Sequence, residues 1–193
     1  LVRAKTYPYD IPPHSYVFES GDFRRADDLS GRTKGLIPIL ACGSNRAPAQ
    51  LARKYHDFEE VTIPVERAWL ADFDVVYAAH ITGYGSIAAN LQHVAGARVE
   101  ISITWLAEPL LARMDATEGR GHSYDLARLE DLLLVTEGGT TMSEAYAYVF
   151  RGGCLRHGGA HAGISEIGAE GRPHPAFTQP EIQHHVHARL GRG

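Results

Sequence analysis

Leu36-Ile37-Pro38-Ile39-Leu40-Ala41-Cys42-Gly43-Ser44-Asn45, followed by Pro48-Ala49-Gln50-Leu51-Ala52-Arg53-Lys54-Tyr55, is where the pattern of this chain first tightens. A continuous apolar run that short reads as a buried strand, and the Gly-Ser-Asn that ends it reads as a tight turn. The residues beyond it read as a helix. Ser44 or Asn45 is placed to cap that helix, and Pro48 falls in its first turn, where a missing N–H costs nothing. Strand, turn and helix in that order put a loop of free backbone amides at the end of a strand.

Downstream, strands outnumber helices. Val61, Ile63 and Val65 alternate with polar residues, and Trp69, Ala71, Phe73, Val75 and Tyr77 do the same beyond Arg67, as half-buried strands do. Ile87, Ala89 and Leu91 run up to Ala95-Gly96-Ala97, and Val99, Ile101, Ile103 and Trp105 run away from it, which predicts a hairpin turning at Gly96. Glu108 to Gly119 predicts a short helix, with Pro109 at its start and Gly119 just past its end. Strands are expected over Leu126–Val135 and Met142–Phe150 around a Glu137-Gly138-Gly139 turn, and a closing helix over Pro180–Leu190. No second strand-helix-strand unit recurs. The expected fold class is therefore α+β, a small curved mixed sheet or barrel with short flanking helices.

The organisation expected along the chain has three parts: an extended N-terminal arm over 1–35, a core over 36–151, and a Gly/His-rich loop with a C-terminal helix packed on the core over 152–193. The arm has no sustained period, but its Tyr7, Tyr9, Tyr16, Phe18 and Phe23 suggest that it packs on the body or on a partner, and it is the surface on which a homodimer would form. A length of 193 residues suffices for a sizeable core. A formal net charge of −4 with scattered Lys and Arg offers no basic stripe, so nucleic acid is not an expected partner. No apolar run approaches the ~20 residues of a membrane span, and no membrane association is expected. Cys42 and Cys154 are the only cysteines and form no CxxC, which fits a reducing compartment and a cytoplasmic location.

Glu118 stands out. Leu111, Met114 and Glu118 are spaced i, i+3, i+7 and share one face of the predicted helix, the apolar one. The residue also falls at the helix C-terminus, where the negative end of the macrodipole opposes a carboxylate. Burial and dipole together would raise its pKa towards the range in which a carboxyl both accepts and returns a proton. The competing reading is a frayed helix end with a solvated side chain. The Gly43-Ser44-Asn45 turn has the complementary character, since its amides can converge on a carbonyl or anion; a helix start without a ligand is the competing reading there. Ser44 lacks the Gly-x-Ser-x-Gly elbow of a hydrolase nucleophile. His157 with His161, and His184 with His187, are too few for a metal site, so neither metal nor cofactor is expected.

Taken in order, Leu40-Ala41-Cys42-Gly43-Ser44-Asn45 and the later Leu111 to Gly119 are similar to the two signatures of the gamma-glutamylcyclotransferase-like family, a Tyr-Gly-Ser-Asn loop and a Leu-Asp-x-x-Glu-Gly motif. Ala88-Ala89-Asn90-Leu91, Gly96 and the Val99–Leu106 strand resemble its central segment. The resemblance spans about Leu36 to Phe150. It implies intramolecular aminolysis of a γ-glutamyl amide, a small-molecule substrate whose own α-amine attacks the γ-carbonyl to release 5-oxoproline and an amine or amino acid. On that resemblance Glu118 is the acid/base, Cys42, Gly43, Ser44 and Asn45 hold the glutamyl group, and Tyr124 lines the pocket. Cys42 stands where the family motif has tyrosine, and Met114 where it has leucine. The alternative function on the same fold is a non-catalytic small-molecule binding or interaction protein.

Overall fold

The chain is described as a computed structural model over residues 2–191. In order, its elements are α1 (Val2–Lys5), β1 (Tyr16–Glu19), β2 (Asp22–Arg25), β3 (Ile37–Ala41), a 3₁₀ turn (Ser44–Arg46), α2 (Pro48–Lys54), β4 (Thr62–Ile81), β5 (Ile87–Leu106), α3 (Glu108–Glu118), β6 (Tyr124–Leu129), β7 (Leu134–Thr136), β8 (Thr141–Met142) and β9 (Ala145–Phe150). The short strands β10 (Arg156–His157), β11 (Ala160–His161), β12 (Gly163–Ile164), β13 (Ala169–Glu170) and β14 (Ala176–Phe177) follow, and α4 (Gln179–Arg189) closes the chain. The fold is α+β. Its main sheet runs β14-β12-β4-β5-β3-β9-β6 and is mixed, with β3/β9 and β12/β14 parallel and the other pairs antiparallel. The path has two ends, so of the two expected forms the open sheet is the one that forms.

β3 lies between β5 and β9, pairing Ile37↔Leu106 through Ala41↔Ser102 on one edge and Ile39↔Tyr146 on the other. That interior position explains why its sequence is a continuous apolar run rather than an alternating one. The helix after it starts at Pro48 as expected, but its N-cap is Ala47, with no side-chain cap; Ser44 and Asn45 are taken up by the 3₁₀ turn instead.

β4 and β5 form one long antiparallel hairpin, and the turn between them lies at 82–86, where Thr82 N donates to Ser86 O at 2.8 Å. The hairpin expected at Ala95-Gly96-Ala97 does not exist: β5 continues straight through it. Pairing steps from Ala71↔Arg98 to Phe73↔His93, so Asp72 alone faces Val94 to Ala97 in a wide bulge. Asp72 and Gly96 both take positive φ there, 60° and 78°, and the Gly96 amide donates to Asp72 Oδ1 at 2.8 Å. A glycine between two alternating runs marks a bulge as readily as a turn. The bulge also changes which β4 residues face inward. Ala68 and Leu70 are core before it, and Val75 and Tyr77 after it, so Trp69 and Ala71 point away from the side their alternation suggested.

The alternation of Val99, Ile101 and Ile103 is realised, all three fully buried in the larger core cluster. At about 1.5–3 kcal/mol for each buried aliphatic side chain, this face of β5 is a main source of stability. Leu126–Val135 is two strands rather than one, broken where Asp131 adopts φ 56°. β6 pairs with β9, and β7 with β8 and β4.

Residues of the expected arm are built into the body. β1 pairs with β4 (Tyr16↔Val65, Phe18↔Ile63) and with β2, and Tyr7, Tyr16 and Phe18 are buried within their own chain. The Gly/His-rich stretch likewise carries regular pairing. β12 joins β4 and β13 joins β5, while the Asp74 carboxylate, fully buried, is held by Arg172 at 2.6 and 2.9 Å. α4 begins with a Thr178/Glu181 capping box.

Candidate active site

The 3₁₀ turn after β3 is pinned from below. Arg46 is 2 % exposed and donates to Glu100 Oε1 at 2.6 Å, to Ser102 Oγ at 3.1 Å and to Glu100 O at 3.3 Å. Arg67 takes Glu100 Oε2 at 2.7 Å, and Tyr16 donates its hydroxyl proton to Arg46 O at 2.8 Å. Gly43 has no positive φ; it is glycine because a Cβ would collide with the Tyr7 hydroxyl and press on Ala89 Cβ at 3.0 Å. The Ala89 amide donates to that same hydroxyl at 2.8 Å. Gly43 O and Ser44 O accept from Arg46 N and Ala47 N, whereas the amides of Gly43, Ser44 and Asn45 have no backbone acceptor among the described residues.

α3 ends as its sequence predicts, with Gly119 at φ 67° and no fraying before Glu118. Leu110 and Met114 supply its buried face, with Leu111 half-buried beside them. The Glu118 side chain is 18 % exposed. Its Oε1 accepts from Asn45 Nδ2 at 3.1 Å and from Lys54 Nζ in a short ion pair. Oε2 takes no hydrogen bond from the described residues. Asn45 Oδ1 is buried and likewise unpartnered.

Lys54 was not singled out from the sequence, although a signal was there. Leu51 and Lys54 are spaced i, i+3 on α2, and Leu51 is fully buried, so Lys54 is a charge on an apolar face just as Glu118 is. It is 5 % exposed, and its ammonium also meets Thr117 Oγ1 at 2.8 Å and Met114 Sδ at 3.1 Å.

These groups open into one cavity of about 1050 Å³. Cys42, Gly43, Ser44, Asn45, Glu118 and Tyr124, all named from the sequence, line it together. Tyr7, Lys54, Tyr84 and Tyr148 join them; of the two tyrosines on β9 that the sequence left open, Tyr148 is the one at the cavity. Its hydroxyl donates to Asp115 Oδ1 at 2.6 Å, and burial, reinforced by Asp115, holds its phenol well above the usual range. Burial and then Glu118 do the same to Tyr124. The Cys42 thiol is pushed up to about 12 by burial first and Glu118 second, which favours its protonated form at neutral pH. No three His, Cys, Asp or Glu side chains among the described residues are grouped to hold a metal ion. His157 and His161 flank the β10–β11 hairpin, and His157 stacks near His185 at 4.4 Å. No described helix is long and apolar enough to cross a membrane.

The site thus sets a carboxylate against a turn whose amides have no backbone acceptor among the described residues. No family model and no curated protein matches this sequence. Among solved structures the chain is similar to a human protein called uncharacterized protein loc79017, at 15 % identity and TM-score 0.48, over 61 % of this chain and 68 % of that one. A gamma-glutamyl cyclotransferase is similar at 14 % identity and TM-score 0.46, again over 61 % and 68 %. YkqA from Bacillus subtilis is similar at 16 % identity and TM-score 0.46 over 84 % of this chain, which spans 51 % of YkqA. Identities this low carry nothing about chemistry, and the function of the site rests on its own atoms.

Proposed function

We propose that this protein is a cyclotransferase-type enzyme that closes a γ-glutamyl amide to 5-oxoproline, with Glu118 as acid/base. The observation that carries the reading is the asymmetry of that carboxylate. Oε1 is fixed by Asn45 and Lys54, while Oε2, on a side chain that lines the cavity, is free to exchange a proton with a ligand. In the reaction the substrate's α-nitrogen forms a bond to its own γ-carbonyl carbon and the original amide C–N bond breaks. The proton lost by the attacking nitrogen passes to Glu118 and from it to the departing amine, so atoms and charge balance without a co-reactant.

Charge develops on the γ-carbonyl oxygen as the ring closes. The unpaired amides of Gly43, Ser44 and Asn45 are the donors available to it, and such preorganised donors are worth about 3–4 kcal/mol each in other acyl-transfer sites. Holding the folded substrate with its ends together supplies the rest as effective molarity. Acid/base transfer by one positioned carboxylate is worth roughly 10²–10⁴-fold.

The test is release of 5-oxoproline from a panel of γ-glutamyl amines and dipeptides by the purified protein and by Glu118→Gln. Release that depends on Glu118 supports the proposal. Release no greater than that of the variant from any member sinks it, and a compound bound without turnover would then mark the cavity as a binding site alone.

A further inference from the structure

Tyr7 lines the cavity although only 5 % of it is exposed. Its hydroxyl lies against Gly43: a Cβ built there would run into Oη, with Cζ of the same ring at 3.2 Å. The hydrogen bonding of that hydroxyl is one-sided. Oη accepts from the Ala89 amide at 2.8 Å, while its own proton has no acceptor among the described residues. Tyr148, a second phenol of the cavity, spends its proton on Asp115 Oδ1 at 2.6 Å. A buried hydroxyl that accepts without donating carries an unmet donor, which is costly until an acceptor arrives.

The phenol is also prepared to donate. Accepting a bond from an amide polarises the O–H and strengthens it as a donor. Burial first, and Cys42 second, hold the phenol well above its usual range, which favours the protonated form. The ring is fixed from several sides. Tyr7 belongs to the larger core cluster, the Tyr9 ring meets it edge-on with centroids 5.9 Å apart, and Gln183 Nε2 of α4 ties the segment down through Ala4 O at 3.0 Å and Gly85 O at 2.9 Å. The amides of Gly43, Ser44 and Asn45, which lack a backbone acceptor, belong to the turn against which this hydroxyl rests.

We propose that the Tyr7 hydroxyl donates a hydrogen bond to the ligand oxygen seated in the Gly43 turn, so that a side chain from the N-terminal segment completes the donor set of the site. This rests on the reading that the cavity closes a γ-glutamyl amide, in which case the oxygen is that of the γ-carbonyl. A donor held in place before the reaction gains strength as that oxygen becomes negative, which favours the transition state over the bound substrate. Tyr7 keeps its proton throughout, and Glu118 remains the group that accepts and returns one.

Two measurements test the assignment. A crystal structure of the unmodified protein with 5-oxoproline is expected to place one ligand oxygen within about 2.6–3.0 Å of Tyr7 Oη and of at least one amide of the turn. An oxygen in the turn but out of reach of Oη, or no 5-oxoproline in the turn, overturns the inference. Tyr7→Phe is expected to lower kcat about 10²-fold while KM moves by less than about threefold. The same change leaves the Ala89 amide unpaired, so a purely structural role would lower the unfolding midpoint and leave kcat of the folded protein unchanged, which also overturns the donor role. If Tyr7→Phe does not fold, the contact in the crystal decides. The two readings fail separately. A Tyr7 contact in a protein that releases no 5-oxoproline leaves the donor standing and removes the catalytic proposal, whereas turnover that Tyr7→Phe leaves intact removes the donor alone.

Discussion

Two carboxylates flank the Gly43 turn, and they are held in opposite ways. Glu100, beneath it, has both oxygens taken, one by Arg46 and one by Arg67, and the arrangement is closed. Glu118, across from it, has one oxygen taken and one free on a cavity-lining side chain. A satisfied buried ion pair holds backbone in place, whereas a half-satisfied one keeps chemical capacity that stability alone would not retain. The same loop is therefore clamped on one side and left reactive on the other.

The sharpest way to break the contrast is to neutralise each acid in turn. Glu118→Gln should lower 5-oxoproline release about 10²–10⁴-fold, and the denaturation midpoint should fall as well, because the buried Lys54 ammonium loses its counter-charge. Next in size, Arg46→Ala should cost about 2–5 kcal/mol in urea unfolding, since it empties the buried guanidinium site beneath the turn and leaves the half-buried Glu100 with Arg67 alone. An unfolding curve that hardly shifts would show that the clamp is not what holds the turn.

A smaller effect sharpens the picture of the turn itself. Gly43→Ala drives a methyl into the Tyr7 hydroxyl and should cost about 1–3 kcal/mol, as overpacking does. Tyr7→Ala should recover much of that loss in a double-mutant cycle; additive losses would mean that the two residues do not meet. The smallest effect is in pH. Burial pushes the Glu100 carboxyl up, but Arg67 and Arg46 more than offset it, and the folded group lies below its usual 4.5. Its contribution is present above that value and lost as pH falls through the lower, folded one, so acid unfolding should be steeper than in Glu100→Gln below about pH 4.5.

The parts of the site legible in the sequence are those whose signals are local. Leu36 to Asn45 and Glu108 to Gly119 each announce a strand end or helix end within a dozen residues, and both ends form where read, although Ala47 rather than Ser44 or Asn45 precedes the helix after the turn. Gly96 misled because a bulge and a hairpin turn share one local signature, and only the partner strand, more than twenty residues away, distinguishes them. Tyr16 to Glu19 was legible only as part of an extended arm because so short a strand has no period of its own; its stability comes from Ile63 and Val65 across the ladder. Lys54 obeyed the same i, i+3 rule that exposed Glu118. A lysine is so often solvated that the rule had to be applied to it deliberately. Tyr7 and Arg3 reach the cavity through contacts between residues more than eighty positions apart in the chain, as Tyr7 with Ala89 shows, and no local pattern encodes those.

Because Arg3 of α1 lines the cavity, a segment fused at the N-terminal end of the chain is attached only a few residues from the cavity lining. A purification handle placed there should crowd the cavity, and because Gln183 of α4 donates to Ala4 O of α1 at 3.0 Å, a handle placed after α4 hangs from a helix that touches the same segment. Comparing the two attachments in the same assay would show how far access to the cavity is governed by what is fused there.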